Sequence, residues 1–255
     1  MSIDAVVVTY NSADTIRPCL ASLKKKNISR IIVVDNASTD GTAAVLAQAG
    51  VEYIAQSSNT GFAHAANTAA ARATADYILF LNPDAVLDSP LDPAEEYFKA
   101  QPTTAVLGFR LLTPENEPEK DNYGSAVTLW SLFTRHTVRT EVYQSAAEVG
   151  WVSGAALCVR RSVFAKLAGF DPDYFLYWED VDLCRRVRDK GYSVVFLPSV
   201  VVMHQRGKSL KDAARKTSLY DRAADRYFQK HYSALICIFQ RFLRKLYRAW
   251  RPQVR

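Results

Sequence analysis

The chain has 255 residues, of which 49% are hydrophobic and 23% are charged, and its formal net charge is +6. These values are ordinary for a soluble globular protein with one large domain or two small ones, and they exclude a low-complexity chain. No apolar run approaches the ~20 residues that a membrane-spanning helix needs, so the sequence does not predict an integral membrane protein.

The charge distribution and the cysteines indicate where in the cell the protein is expected. Residues 206–255 have 14 Lys or Arg against three Asp or Glu, whereas residues 1–205 have 18 against 23, so the basic character belongs to the C-terminal tail. The N-terminus runs directly into an apolar segment and has no basic region like that of a signal peptide. We therefore expect a cytoplasmic protein whose membrane contact is peripheral. Four widely spaced cysteines without metal-ligand spacing are predicted to be buried free thiols: Cys19, Cys158, Cys184 and Cys237.

Short apolar segments alternate with helical ones in the first half of the chain. Strands are predicted over residues 3–8, 31–34, 51–55 and 77–81. Helices are predicted between them, the first ending at Lys26 and the others covering residues 42–49 and 62–73. This alternation predicts an α/β fold, built from βαβ units with right-handed crossovers around a mostly parallel sheet.

Each of these four strands is followed by a polar residue: Asn11, Asp35, Asn59 and Asp84. Carboxyl ends of parallel strands meet at one edge of the sheet, so these side chains are predicted to line one pocket. Pro83 cannot donate to a sheet ladder, and the fourth strand should therefore stop and present Asn82 and Asp84 on a turn. The glycine-rich loops of dinucleotide-binding and P-loop enzymes are absent, so a bound nucleoside diphosphate would need a metal ion.

The second half is less regular. A strand over residues 104–112 is followed by a polar, proline-containing segment, residues 113–125, which is predicted to be a mobile surface loop. A core strand over 149–159, broken at Ser153-Gly154, and a short helix over 162–167 come next. A helix then begins near Glu179 and ends at Gly191, with Asp182 on its outward face. Strands over 192–196 and 200–203 lead to His204, and helices follow from residues 208 and 233.

Asp84 and His204 are candidate metal ligands, because both end strands and because carboxylate with imidazole suits Mn²⁺ or Mg²⁺ bound to phosphate oxygens. The alternative is structural. Asp84 alone could cap a turn, and a lone histidine at a strand end is often a hydrogen-bonded core residue.

Asp180 is the candidate general base. It lies with Glu179 in the first turn of a helix, directly after the aromatic run of residues 175–178. Aromatic rings can stack on a sugar and partly desolvate a carboxylate, which makes it a better base. Two alternatives remain open, because acidic residues at a helix start are favoured by the helix dipole and aromatic residues often pack in a core.

Six motifs occur in a fixed order along the chain. They are VTYN at 8–11, VDNASTDG at 34–41, NTGF at 59–62, LNPD at 81–84, WVSG at 151–154 and YWEDVDL at 177–183. With these motifs, residues 1–207 resemble a family 2 glycosyltransferase of GT-A fold, in its rhamnosyltransferase-like branch. The resemblance implies a nucleotide-binding half over about 1–110 and an acceptor-binding half over about 111–207. Residues 113–125 and 130–150, which contain no motif, are expected to determine the acceptor.

The resemblance also implies an activity: inverting transfer from a nucleoside-diphosphate sugar to an acceptor hydroxyl in a cell-surface polysaccharide, lipopolysaccharide or lipid-linked glycan. The leading donor is dTDP-rhamnose, and otherwise a UDP-sugar. A divalent cation, Mg²⁺ or Mn²⁺, is the implied cofactor. A nucleotidyltransferase is disfavoured, because no glycine-rich basic loop follows the first strand.

Site residues are carried over by position. The implied nucleotide-binding residues are Thr9, Tyr10, Asn11 and Asp35 for base and ribose, and Asn59, Gly61, Asn67 and Asn82 beside them. Asn82-Pro83-Asp84 stands at the family's Asp-x-Asp metal motif, with His204 as second ligand and Asp180 as base. The implied acceptor-binding or sugar-binding residues are Trp151, Gly154, Trp178 and Glu179. Asn82 replaces the first aspartate of that motif. The alternative to an active enzyme is therefore a catalytically weak or inactive relative that binds a nucleotide sugar at the membrane periphery.

The tail, residues 208–255, is predicted to contain an amphipathic helix over 233–255 with an apolar face that includes Phe239 and Phe242 and a basic face that includes Arg241 and Arg244. Such a helix can lie on an anionic membrane. Packing on the body of the protein or on the partner of a homodimer is the alternative. Nucleic acid is not an expected partner, since the body is acidic and has no reader motif.

Overall fold

The computed structural model describes residues 2–128, 143–205 and 213–250. Strands and helices alternate through its first half. In chain order the elements are β1 (Ile3–Thr9), α1 (Ile16–Lys24), β2 (Arg30–Asp35), α2 (Thr42–Ala49), β3 (Glu52–Ala55), α3 (Phe62–Ala70), β4 (Tyr77–Leu81), β5 (Ala85–Leu87), α4 (Asp92–Ala100) and β6 (Thr104–Leu112). They continue with β7 (Tyr123–Gly124), β8 (Ala147–Glu148), β9 (Trp151–Val152), β10 (Ala156–Arg160), α5 (Arg161–Lys166), α6 (Glu179–Asp189), β11 (Ser193–His204), α7 (Ala213–His231) and α8 (Ala234–Trp250).

The main sheet has the order β3-β2-β1-β4-β10-β6-β11-β5, with β8 beside β11. The four strands of the first half pair in parallel, as the βαβ pattern predicts. β10 lies between β4 and β6 and runs antiparallel to both. It thereby joins the four parallel strands to a second parallel pair, β6 and β11. These pairings confirm the predicted α/β fold around a central, mostly parallel sheet. A separate two-stranded sheet pairs β7 with β9.

Both faces of this sheet are covered, which explains why β1 and β4 are almost continuously apolar. Successive side chains of β1 enter opposite cores: Val6 and Val8 pack with α3 and α6, whereas Ala5 and Val7 pack with α1 and α4. The four cysteines are buried and unpaired, as predicted. Among the described residues, none of the helices is both long enough and apolar enough to span a bilayer.

The structure differs from the sequence-based prediction after β4. β5 and α4 were not predicted, because β5 is three residues long and α4 buries only Ala94 and Phe98 in a largely charged segment. The two strands predicted after residue 191 are one strand, β11, whose register against β6 shifts between Leu197 and Val201. Such an irregularity interrupts the apolar alternation and resembles a strand end in the sequence.

The segment predicted to be a mobile surface loop is partly a structural element. Glu119 and Asn122 are buried, and the Asn122 side chain donates to the Phe109 carbonyl at 2.8 Å. Tyr123 stacks on Phe196 with ring centroids 4.0 Å apart. The segment therefore packs on β6 and β11, because the buried side chains of Asn122 and Tyr123 contact residues of these two strands. Of the predicted acceptor region 130–150, residues 129–142 lie outside the described part of the chain.

Asp182 is also placed differently from the prediction. It was assigned to the outward face of its helix, but α7 covers that face and Asp182 is completely buried. Its carboxylate accepts hydrogen bonds from Arg186 at 2.7 Å and His231 at 2.8 Å, and pairs with Lys230 at 2.9 Å. Burial alone would raise the pKa of Asp182, but these three partners lower it to about 2.

The C-terminal helices pack on the body and on each other. In addition to its Asp182 contacts, α7 places Lys230 at 2.6 Å from Asp171. α8 is joined to α7 by Arg244, which lies 2.6 Å from Asp225 and 3.4 Å from Asp221. The alternative that the sequence left open concerned the helix over 233–255, and one face of α8, which contains the buried Cys237 and Gln240, does pack on the protein.

We predict that Asp182→Asn lowers the free energy of unfolding by about 3–5 kcal/mol, because it leaves buried cationic partners without their carboxylate. Asp189→Asn is the matched control on the same helix. Its carboxylate pairs with Arg185 at 2.9 Å but is 50% exposed, so we expect a loss of at most ~1 kcal/mol. Urea unfolding followed by circular dichroism measures both, and equal losses would contradict the prediction.

The Asp182 effect should depend on pH. The folded-state pKa of about 2 is below the ordinary aspartate value, so the stabilisation is complete above ~pH 4 and is lost as the pH falls towards the folded-state pKa. The difference between Asp182→Asn and the unmodified protein should therefore shrink over that window.

Candidate active site

The carboxyl ends of β1 and β2 form the first part of the site. Thr9 ends β1 and is fully buried, and Asp35 ends β2 with only 4% of its surface exposed. The next residue, Asn36, donates its backbone N–H to the Thr9 carbonyl at 2.8 Å. Its side chain donates to Asn59 at 2.9 Å and accepts from the Thr60 N–H at 3.0 Å. Sequence reasoning missed Asn36 as a site residue, although it lies within the motif at 34–41.

Tyr10 and Asn11 lie at the open rim of this edge. Tyr10 is 38% exposed, and Asn11 is exposed with a left-handed backbone, φ 51°. Asparagine tolerates this conformation better than most residues. The side-chain oxygen of Asn11 accepts a hydrogen bond from the Thr39 backbone N–H at 2.8 Å. The backbone N–H of Asn11 donates to the Ser38 hydroxyl at 2.9 Å. The loops after β1 and β2 are therefore bound to each other.

Gly61 allows the turn before α3 to contact the segment that leads to α6. Its φ is +84°, and a Cβ at this position would lie 2.5 Å from the Phe175 carbonyl oxygen. The neighbouring Phe62 N–H donates to that same oxygen at 2.7 Å. No residue with a side chain fits this close approach. The nucleotide-side motif at 59–62 thus lies against the aromatic run.

Asn67 has a different environment from the other predicted nucleotide residues. Its amide donates to the Phe170 carbonyl at 2.7 Å and accepts from the Phe170 N–H at 2.9 Å. Each of its two polar atoms therefore already has a backbone partner, and the side chain holds the turn before residue 171. We leave Asn67 out of the nucleotide-binding set proposed below.

Asp84 and His204 meet at the ends of β4 and β11. The Asp84 Oδ1 atom lies 3.2 Å from His204 Nε2, and both side chains are buried. The Asn82 amide nitrogen lies 3.5 Å from the same imidazole nitrogen. The structure therefore brings together the two predicted metal ligands and the asparagine of the LNPD motif.

Glu119 binds the other side of this imidazole. Its Oε1 atom lies 2.9 Å from His204 Nδ1. Burial alone would lower the pKa of His204, but the hydrogen bonds with Asp84 and Glu119 outweigh that effect and raise it to about 9. Sequence reasoning missed Glu119, which it placed in a mobile loop. A carboxylate on one nitrogen of a histidine commonly orients the other nitrogen towards a metal ion.

Among the described residues, no group of three or more His, Cys, Asp or Glu side chains is arranged to hold a metal ion. Asp84 and His204 supply an oxygen and a nitrogen, which suit Mn²⁺ or Mg²⁺ if phosphate oxygens or water complete the coordination. This donor set fits a cation that binds together with a diphosphate.

Asp180 is held by backbone N–H groups. Its Oδ2 atom accepts from the Gly154 N–H at 2.7 Å, and its Oδ1 atom accepts from the Val181 N–H at 2.8 Å. A Cβ on Gly154 would lie 3.4 Å from that Oδ2 atom, at the limit of ordinary contact. The adjacent carbonyl of Ala155 accepts from the Asn82 N–H at 3.0 Å. Asp180 and the turn that contains Asp84 are therefore bound to consecutive residues, and both lie at one edge of the sheet.

Glu179 is the buried neighbour of Asp180. It is 6% exposed, and none of the described residues supplies a hydrogen-bond partner to its Oε2 atom. Burial, followed by the charge of Asp180, raises the pKa of Glu179 well above its ordinary value, and burial also raises the pKa of Asp180. A raised pKa makes a carboxylate a stronger base.

The turn before this pair is strained. Tyr177 and Trp178 have consecutive left-handed backbone conformations, with φ of 73° and 67°, which aromatic residues rarely adopt. Trp178 is 8% exposed and its ring packs against Tyr220, Tyr227 and Phe228 of α7. Core packing, the alternative reading of the aromatic run, therefore describes Trp178 rather than a sugar platform. Trp151 is similarly buried in β9.

Comparisons with known proteins agree with this geometry. Residues 4–167 match the family model described as Glycosyl transferase family 2. An N-acetylglucosaminyl-diphospho-decaprenol L-rhamnosyltransferase of Mycobacterium tuberculosis is 31% identical over 87% of this chain and 84% of its own length. The rhamnosyltransferase WbbL of Escherichia coli is 28% identical over 78% of this chain and 81% of its own.

Two solved structures share the fold. The mannosyltransferase PcManGT of Pyrobaculum calidifontis, in complex with GDP-Man and Mn²⁺, superposes with a TM-score of 0.62 at 20% identity, over 89% of this chain and 63% of its own. GalNAc-T7 with UDP, GalNAc and Mn²⁺ superposes with a TM-score of 0.68 at 14% identity, over 88% of this chain and 48% of its own. These superpositions confirm the predicted GT-A fold. With the family match over residues 4–167, they show that this chain belongs to glycosyl transferase family 2 and is a glycosyltransferase.

Proposed function

We propose that this chain is a metal-dependent, inverting glycosyltransferase that moves L-rhamnose from dTDP-rhamnose, or otherwise a sugar from a UDP-sugar, to a hydroxyl of a lipid-linked or polysaccharide acceptor of the cell envelope. One observation carries the proposal: the candidate base and the candidate metal site are bound to the consecutive residues Gly154 and Ala155. A donor at Asp84 and an acceptor at Asp180 could then occupy one cavity. The two rhamnosyltransferases that resemble this chain support the choice of sugar.

The nucleotide is proposed to bind at the ends of β1 and β2. Asp35 is fixed there for contact with the ribose, while Tyr10 and Asn11 at the exposed rim are available to the base. Thr9 contributes at the end of β1. Asn59 and Gly61 form the far wall through their bonds with Asn36. This arrangement uses strand ends and side chains where other nucleotide-binding folds use a glycine-rich loop.

Asp84 and His204 are the residues that would hold the divalent cation, with Asn82 beside them and Glu119 orienting the imidazole. When bound, the cation offsets the negative charge that develops on the departing nucleoside diphosphate. The single carboxylate of the LNPD motif is therefore supplemented by a histidine. The presence of this histidine favours catalysis over the alternative of an inactive relative, for which the missing first aspartate was the argument.

Asp180 is proposed to remove the proton of the acceptor hydroxyl. Its two backbone hydrogen bonds fix the carboxylate, and burial strengthens it as a base. Attack from the face opposite the leaving diphosphate inverts the configuration at the sugar carbon. The buried Glu179 has a pKa raised well above its ordinary value, which favours its neutral form next to the base, and we assign it to the acceptor side of the cavity.

We predict that Asp180→Asn lowers kcat about 10²–10⁴-fold, because the amide cannot accept the acceptor's proton. Binding of the donor nucleotide, measured by calorimetry, should be unchanged. Asp189→Asn, on the same helix but in an exposed pair with Arg185, is the control and should keep full turnover. An Asp180→Asn protein with full activity would remove the proposed base.

Metal dependence is tested by thermal stabilisation. We expect dTDP with Mn²⁺ to raise the Tm more than dTDP alone, since a ligand that binds only the folded state stabilises it. Asp84→Asn should abolish the Mn²⁺-dependent part, and Glu119→Gln should weaken Mn²⁺ binding by about 10–100-fold through the loosened imidazole. Asp88→Asn, an exposed aspartate four residues after Asp84, is the control. Stabilisation by nucleotide that ignores Mn²⁺ and Mg²⁺ would favour a binding module without catalysis.

The pH profile should report the ionisation of Asp180, which lies next to the buried Glu179. Asp180 must be ionised to act, and its pKa is raised, so kcat/KM should fall on the acid side at a higher pH than an ordinary aspartate would give. Burial raises the pKa of Asp180, and Glu179 is itself held in its neutral form, so Glu179→Gln should leave this acid limb in place. Glu148→Gln, an exposed change on β8, should leave the profile in place.

Glu179→Gln should also change stability. The pKa of Glu179 is raised in the folded state, so the protein loses stability as the pH rises through that value. Glutamine has no such loss, and the variant should be more stable than the unmodified protein above that pH by about 1–3 kcal/mol. Urea unfolding at pH values on both sides of the transition measures the difference, and a less stable variant at high pH would contradict the assignment.

A further inference from the structure

One face of α8 is apolar and open. Leu235, Ile238, Phe239 and Phe242 are 79%, 64%, 46% and 55% exposed, and their spacing of three and four residues places them in one stripe along the helix. Four of the seven large hydrophobic side chains that are exposed in the described part of the chain belong to this stripe. The concentration on a single helix distinguishes it from the scattered apolar residues of an ordinary surface.

The opposite face of α8 is occupied by the protein itself. Cys237 and Gln240 are buried, at 8% and 6% exposure. Arg244 follows them one turn later and pairs with Asp221 and Asp225 of α7. The helix therefore cannot turn its apolar stripe inward without breaking these contacts. The sequence placed Phe239 and Phe242 on the apolar face correctly, and the structure adds Leu235 and Ile238.

Charge indicates what covers the stripe. α8 contains four Arg or Lys and no acidic residue, and α7 and α8 together contain nine Lys or Arg against two Asp. Both aspartates, Asp221 and Asp225, already pair with Arg244.

Arg226 and Lys230 of α7 pair with aspartates of the body. Lys216 and Arg222 of α7 and Arg241 of α8 are exposed, and the two helices have an excess of positive charge. A surface that is apolar in the middle and anionic at its boundary would satisfy both features.

We propose that α8 lies in the interface of an anionic lipid bilayer, with Leu235, Ile238, Phe239 and Phe242 in the acyl boundary and the exposed Arg241 near the lipid headgroups. The inference deepens the proposed function, since it names the surface that would bring the enzyme to a lipid-linked acceptor. Binding itself requires neither donor nor acceptor.

The contacts of α7 connect this surface to the active site. α8 packs on α7 through Arg244, and α7 packs on Trp178, which immediately precedes Glu179 and Asp180. One helix thus separates the lipid-facing stripe from the helix that carries the base.

The test uses the full chain and co-sedimentation with phosphatidylcholine vesicles, with and without phosphatidylglycerol. We expect binding to the anionic vesicles that weakens as salt is raised, and little binding to the zwitterionic ones. The double variant Ile238→Glu/Phe242→Glu should bind at least about tenfold more weakly, since each buried apolar side chain contributes roughly that factor. Tyr53→Glu, at a 37% exposed aromatic on β3, is the matched control and should bind normally.

Several outcomes would overturn the inference. Unchanged vesicle binding by the double variant would place the membrane contact elsewhere. A concentration-dependent dimer in light scattering that this variant abolishes, with no vesicle binding by either protein, would assign the stripe to a second copy of the chain.

Failure of the proposed function remains distinguishable from these results. Asp180→Asn should bind vesicles fully, and the double variant should turn over a water-soluble acceptor at the normal rate.

Discussion

The residues between β9 and β10 hold the two chemical halves of this molecule together. Gly154 donates to Asp180 and Ala155 accepts from Asn82, so one short backbone segment binds both the base and the turn that carries Asp84. This segment is fixed because β10 pairs antiparallel with β4 along five residues. The antiparallel strand β10 next to the four parallel strands therefore brings the proposed acceptor side of the site to the strand ends at which we propose the donor binds.

The C-terminal helices pack on the part of the chain that contains the proposed catalytic residues. The family match ends at residue 167, yet Trp178 packs against α7, and Asp182, two residues after the base, is enclosed by Lys230 and His231. A buried carboxylate needs such partners, because an unpaired charge in a low-dielectric interior is costly. The helix that carries the base is therefore held from outside the matched domain, and we regard α7 as part of the catalytic unit.

Local patterns were sufficient to predict much of this architecture. The parallel half-sheet follows from apolar runs and turn residues, and the bounds of α2 and β6 are those predicted, because each is limited by residues close in sequence. Asp84 and His204 were predictable as a pair because both end strands. Trp178, Asp182 and Glu119 were not, since each depends on a partner 49 or more residues away: Tyr227, His231 and His204. No periodicity within one helix or loop contains that information.

The bond between Glu119 and His204 has a consequence for engineering. Glu119 belongs to residues 113–125, the part of the chain without a family motif to which acceptor choice was assigned, yet its carboxylate orients a ring at the cation site. Chimeric enzymes that exchange this whole segment to change the acceptor would thus also exchange a support of the catalytic centre. Grafts that retain the glutamate and its backbone path, and vary only the outward side chains around it, are the designs most compatible with this architecture.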